Sequence, residues 1–179
     1  KKFYIYLPLS ISASFIGTGL MFHQIFIIDQ KGWSLQMLGN GYIFLGIFSI
    51  IGLLLGGPLV DRFDTKKTAI TSLVPLLFLL IVLISSEGEF FLIIYMSLHG
   101  LTLGIGRPFI GSLWAEIYGV ESLGTVKALL HAAAVFASAL SPLVFGYLID
   151  WGFSITTIVT ISILIIIVST LLPIYNKLP

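Results

Sequence analysis

Cysteine is absent from the 179 residues, and charge is nearly so: Lys, Arg, Asp and Glu together make up 9%. The first absence removes disulfides, thiolate nucleophiles and cysteine-based metal sites, and it leaves the redox compartment open. The second excludes more. A water-soluble domain carries about a quarter charged residues because its surface must stay hydrated. This chain cannot clothe such a surface and is expected to be solvated by lipid. The few charges nearly cancel, at net +1, so no bulk pull on nucleic acid is expected. The three histidines, His23, His99 and His131, fall at three different depths, so no clustered metal-ligand set can be read and no cofactor is implied.

What fills the chain instead is apolar: 58% of residues are hydrophobic and the mean hydropathy is +1.10. They form six runs at 3–28, 35–60, 68–86, 90–113, 125–149 and 155–175, each long enough to cross a bilayer at about 20 residues per span. The breaks are 29–34 (DQKGWS), 61–67 (DRFDTKK), 87–89 (EGE), 114–124 (WAEIYGVESLG) and 150–154 (DWGFS). All are short, so consecutive helices should be antiparallel neighbours, with no room for a soluble domain. The expected fold is therefore all-α, a single six-helix membrane domain over 1–179. The chain starts at Lys1 rather than Met, which implies that it is processed or cut from something longer. A cleaved signal peptide is a poor reading of this start, because the run 3–28 is too long for one and lacks a small-residue cleavage site before its end.

Orientation follows from the basic residues. With the N-terminus inside, Lys1, Lys2, Arg62, Lys66, Lys67, Lys127 and Lys177 fall on the cytoplasmic side, and only Lys31 falls outside, beside Asp29, Glu87, Glu89 and Asp150. Both ends are expected to be cytoplasmic. The helices are not equivalent. The second carries Gly39, Gly41, Gly46, Gly52, Gly56 and Gly57; the fourth carries Gly100, Gly104, Gly106 and Gly111; the fifth has a small-residue stripe that includes Ala133, Ala137 and Ser141. Small residues let helices approach closely in lipid. The third and sixth have neither glycine nor charge and should lie outermost, with the other four forming a cavity wall. Peripheral third and sixth members suggest a 3+3 inverted repeat.

Three motifs carry a family resemblance. The loop after the second segment reads Gly57-Pro-Leu-Val-Asp61-Arg62-Phe-Asp64-Thr-Lys66-Lys67; the fourth segment holds Arg107-Pro-Phe-Ile-Gly111; the fifth holds Ala137-x-x-x-Ser141-Pro142-x-x-x-Gly146. In register, on the second, fourth and fifth helices, they resemble the signature loop, the Arg-x-x-x-Gly and the glycine-proline motif of the major facilitator superfamily. The family glycine after Asp-Arg-x is Asp64 here. Stretches 18–28, 114–119 and 141–150 are similar to the family's C-terminal half, so the resemblance implies helices seven to twelve of a twelve-helix transporter. Its partners would be the bilayer, a missing N-terminal six-helix half and a small solute, with a proton or sodium as candidate coupling ion. The localisation implied is the cell (inner) membrane. In the resembled fold, Gly57, Asp61, Arg62, Lys66, Lys67 and Glu116 form a conformational lock, with Asp61 set against a helix N-terminus of the other half. A solvated positive-inside loop is the plain alternative. Arg62 and Glu116 are expected within salt-bridge range.

Ionisable and polar groups inside a membrane default to functional candidates. Arg107, about 10 Å above the inner end of its segment at 1.5 Å per residue, would snorkel, pair with Glu116 or hold an anionic group. His99 sits nearer mid-depth, where transporter sites cluster; packing is its plain alternative. His23 and Gln24 near the outer face, His131 near the inner face, and Asn40 with Tyr42 on the second segment complete the cavity candidates. Some family members that carry organic anions hold a cation mid-way along the eighth or eleventh helix. The second segment here has none and Lys127 stands at the start of the fifth, so a carboxylate solute is not favoured. No catalytic residues are expected: an intramembrane serine hydrolase needs a Gly-x-Ser-x-Gly turn, which the chain lacks. A non-transporting scaffold on the same bundle stays open beside secondary transport by alternating access.

Overall fold

The computed structural model describes residues 2–175; Lys1 and Lys177, counted in the charge asymmetry, lie outside them. Eight helices run in order: α1 Lys2–Phe22, α2 Gln24–Lys31, α3 Leu35–Arg62, α4 Thr65–Thr71, α5 Val74–Ser85, α6 Phe90–Tyr118, α7 Leu123–Asp150 and α8 Ile155–Tyr175. With α4 and α5 taken as one span over Thr65–Ser85, six helices are long and apolar enough to cross a membrane. Lipid offers the backbone no hydrogen bonds, so each crossing segment must satisfy its own amides, which helices do.

The ends and interruptions have local causes. Ser34 caps α3 by accepting the Met37 amide at 3.2 Å, and its own amide donates to Glu89 Oε1 at 2.9 Å. Lys31 Nζ donates to the Ser86 carbonyl at 3.2 Å, so the turn before α3 and the turn before α6 are tied together. Pro75 stands at the start of α5; its ring and missing N–H cannot continue a helix over the carbonyl four residues back, which is why α4 stops at Thr71. At Asp64, φ is −54° and the carboxylate accepts the Lys67 amide at 3.0 Å, capping α4. That backbone needs no glycine, so the departure from the family pattern is absorbed as an N-cap.

The fourth segment, expected to end at residue 113, continues as α6 to Tyr118. The reason is aromatic packing. Trp114 is fully buried, lies 5.3 Å from the Phe3 ring and 5.8 Å from Tyr118, and donates from Nε1 to Ser10 Oγ at 2.9 Å. Gly119, with φ +76°, then ends the helix on the Ala115 carbonyl.

Two tight pairs organise the bundle. In α3 and α6 the glycine faces meet: a Cβ on Gly100 would strike the Leu45 carbonyl, one on Gly104 the Ser49 carbonyl, and one on Gly52 would stand 3.0 Å from the Leu101 carbonyl. Helices α1 and α7 meet through Thr18 and Ser138, whose hydroxyls are 2.9 Å apart, through Ser141 donating to the Phe15 carbonyl, and through Gly19 under Phe145. Behind these pairs, α5 packs on α6 and α8 packs on α1, with α5 and α8 touching each other. The first helix of each three-helix unit thus pairs with the second helix of the other, a pattern consistent with a 3+3 inverted repeat.

Both α5 and α8 expose an apolar ridge, Phe78 and Ile81 on one, Leu164 and Ile167 on the other. The most exposed spans are nevertheless α3 and α7, with 11% and 17% of the span buried against 44% for the α4–α5 span and 33% for α8. Each packs mainly on one neighbour, α3 on α6 and α7 on α1, which leaves its other faces open.

A two-lobed basic cavity between α1, α6 and α7

A cavity of about 430 Å³ is lined by Ser10 and Ser14 of α1, Thr102, Arg107 and Trp114 of α6, and Lys127 of α7, among mainly apolar neighbours. A second lobe of about 530 Å³ adds Thr18, Met21, Phe22 and Ser138. Ala13, Ser14, His99, Leu103, His131 and Ala134 line both, so the two lobes adjoin at a shared waist of lining residues. Helical spacing builds each wall. His99, Leu103 and Arg107 are four apart and share a face of α6; Lys127, His131, Ala134 and Ser138 do the same on α7. Because α6 and α7 run antiparallel, the cations meet at one end of the cavity and the histidines at its waist. Arg107 lies about 16 Å from the end of the extended α6, deeper than a helix ending at 113 would put it.

Charge in this cavity has one sign. Among the described residues, no Asp or Glu lines either lobe. Among the described residues, Arg107, Lys127 and His131 make no ion pair or side-chain hydrogen bond, so Arg107 does not pair with Glu116. His99 is 1% exposed and its Nδ1 has no partner. Its Nε2 sits 3.3 Å from where a Cβ on Gly17 would stand, so that glycine lets the ring approach α1.

The other candidates fall elsewhere. His23 lines neither lobe; it joins α1 to α2, its Nδ1 meets the Gly19 carbonyl at 2.9 Å, and its ring stacks 6.1 Å from Phe145. Gln24 is buried and donates to Tyr95 Oη at 2.8 Å, tying α2 to α6. Asn40 and Tyr42 are exposed on α3, and no α3 residue lines either lobe. The expectation that the second segment shares the cavity wall is corrected to this extent: α3 lies flush on α6 through its glycines, with its other face outward. Asp61 and Arg62 are exposed at the end of α3, Gly57 has open space beside it, and Lys67 borders a separate apolar cleft with Phe63 and Pro75. No ion pair joins Arg62 to Glu116 among the described residues; both are exposed, so little desolvation exists for a pair to offset. Among the described residues, no three His, Asp or Glu side chains gather to hold a metal ion.

Sequence reasoning left Lys127 and Trp114 out of the cavity. The four-residue step from Lys127 to His131 was visible, but its meaning depends on which face of α7 turns toward α6. The profile of the Major Facilitator Superfamily matches residues 6–178. The chain belongs to the major facilitator superfamily. No curated protein matches it. Major facilitator members are transporters, so membership makes this an integral membrane protein of transporter type, and the signature loop and the basic cavity are features of one such protein.

Proposed function

We propose that these six helices are the C-terminal half of a secondary transporter that moves a small solute by alternating access. The observation that carries this reading is the pair of adjoining lobes that share His99, Leu103, His131 and Ala134: they form one continuous groove along α1, α6 and α7, which a second wall would close into a path. The exposed Arg107, Lys127 and His131 of the cavity wall support a second six-helix half as partner, because lipid cannot solvate them. The basic asymmetry supports cytoplasmic termini and insertion in the cell membrane. Two imidazoles and no carboxylate at the waist favour a proton over sodium as coupling ion.

Absence of cysteine from these helices makes a direct test practical. Single cysteines replacing Ser10 in one lobe and Thr18 in the other should react with a membrane-impermeant maleimide from opposite sides of the bilayer. An imposed solute or proton gradient should raise one reactivity as it lowers the other. Simultaneous reaction of both positions from both sides would mean a channel and would sink the proposal.

The lock assigned to Asp61 makes a separate forecast. Its carboxylate is exposed and has no partner among the described residues, so Asp61→Asn should change folding stability by no more than about 0.5 kcal/mol. If it holds a helix N-terminus of the other half, a bond of the kind worth about 1 kcal/mol or more, the variant should shift the ratio of the two cysteine reactivities about fivefold or more. A melting temperature and a ratio both unchanged would reduce 61–67 to a solvated loop.

A further inference from the structure

We infer that the solute is a small organic anion whose oxyanion head binds between Arg107 and Lys127; this rests on the transport reading above. Arg107 on α6 and Lys127 on α7 line one lobe, and no carboxylate lines it. Neither cation has an ion-pair or hydrogen-bond partner among the described residues. Ionisable groups held in a membrane nearly always find an opposite charge. Here two cations exposed on α6 and α7 face one space, and no carboxylate stands around them among the described residues. An anionic solute supplies that charge, and its arrival is then the event that neutralises the cavity.

The rest of the lining says what the anion is attached to. Leu9, Leu73, Ile110 and Trp114 make most of the wall apolar, and Ser14 and Thr102 add hydroxyls. A bare inorganic anion would leave those surfaces uncovered. A lobe of about 430 Å³ falls in the size range of metabolite pockets. The fork of Arg107 suits a planar carboxylate or a phosphate edge, and Lys127 adds a second point charge. Lys127 stands where its own helix begins, so sequence position alone makes it look like an end-of-helix anchor; the antiparallel packing of α7 brings it to the lobe that Arg107 lines.

Full-length protein in proteoliposomes tests this with five labelled probes: benzoate, succinate, glycerol 3-phosphate, glucose and tetraethylammonium. At least one of the three anions should show saturable uptake that the other anions inhibit and glucose and tetraethylammonium do not. The two carboxylates against glycerol 3-phosphate then distinguish the head group. Arg107→Gln and Lys127→Gln should each raise the KM for that anion by about tenfold to a hundredfold, the scale of a lost charge-assisted hydrogen bond. Arg107→Lys keeps the charge but loses the fork, so it should recover only part of the affinity, and the melting temperature should stay near wild type for all three variants. Uptake of glucose or tetraethylammonium that no anion inhibits would overturn the inference. A lower melting temperature with an unchanged KM would also overturn it, since the cations would then be structural. If no anion moves while the paired cysteines at positions 10 and 18 still alternate, the anion assignment fails and transport stands. If the cysteines do not alternate, the transport reading itself fails.

Discussion

Gly104→Val is expected to abolish the α3–α6 pairing and leave little folded protein. Gly104 is buried, and a Cβ there would strike the Ser49 carbonyl while standing 2.7 Å from the Leu53 amide nitrogen and 2.9 Å from the Gly52 carbonyl carbon. These are backbone atoms, so no rotamer change relieves the contact and one helix must move. One turn away, Gly100 lies against Leu45 and Ser49 in the same way, so a displaced helix forfeits close packing along several turns. Overpacking a well-filled site costs typically about 1–3 kcal/mol, and here the whole of the tightest helix pair is affected. We expect about 3 kcal/mol or more, enough to remove most of the stability of a marginal bundle. Gly46→Val is the control on the partner helix, because a Cβ there meets nothing within 4 Å. Thermal unfolding in detergent, followed by tryptophan fluorescence, should show Gly46→Val near wild type and Gly104→Val collapsed. Equal melting for the two would mean that the glycine faces are incidental.

That contrast marks how far the residues alone could be read. The need of lipid-solvated backbone to bond to itself made the six spans legible, and the two glycine-rich segments pointed to a close pair. They could not say which of ten glycines touch backbone: Gly39, Gly46, Gly57, Gly106 and Gly111 have open space beside them, while Gly52, Gly100 and Gly104 do not. That is decided by the rotation of one helix against the other. The end of α6 at Tyr118 is not legible in the residues for a simpler reason. Glu116 and Gly119 look like a loop, whereas the buried Trp114 and its contacts to Phe3 and Ser10 keep the helix going. In the cavity, Arg107, His99 and His131 were visible as costly polar groups in apolar runs. Their convergence with Lys127 was not, because it joins positions on two helices that meet only after folding. His23 and Gln24 were visible by the same logic, yet they serve the α1–α2 junction, where a kinked backbone and Tyr95 use their hydrogen bonds.

If these six helices are one half of a transporter, as proposed, residues 1–179 reconstituted alone are expected to give no saturable uptake. The argument turns on which exposed surfaces lipid can replace. The flanks of α3 and α7 present Ile43, Ile47, Ile50 and Leu54 on one side and Phe136, Leu140 and Leu143 on the other. Acyl chains solvate such side chains as well as another helix would, so there is no strong drive to cover them. The cavity wall differs. Facing lipid, Arg107 would cost about 2.5–3.5 kcal/mol on insertion-based scales, and the exposed Lys127 and His131 add to it. Six helices alone should therefore associate through that wall or unfold, and neither outcome builds a path across the membrane. Two copies facing each other would rebuild a twelve-helix shape, but they would place two Arg107 and two Lys127 around one cavity whose known walls hold no carboxylate. At an effective dielectric of about 20, like charges some 8 Å apart repel by about 2 kcal/mol per pair, so such a dimer requires a strongly anionic solute to form. Flux measurements across liposomes containing the isolated chain, with crosslinking to count copies, separate the outcomes. Mixed oligomers without flux are the expected result; saturable uptake by a defined dimer would overturn the half-transporter reading and make the second copy the missing wall.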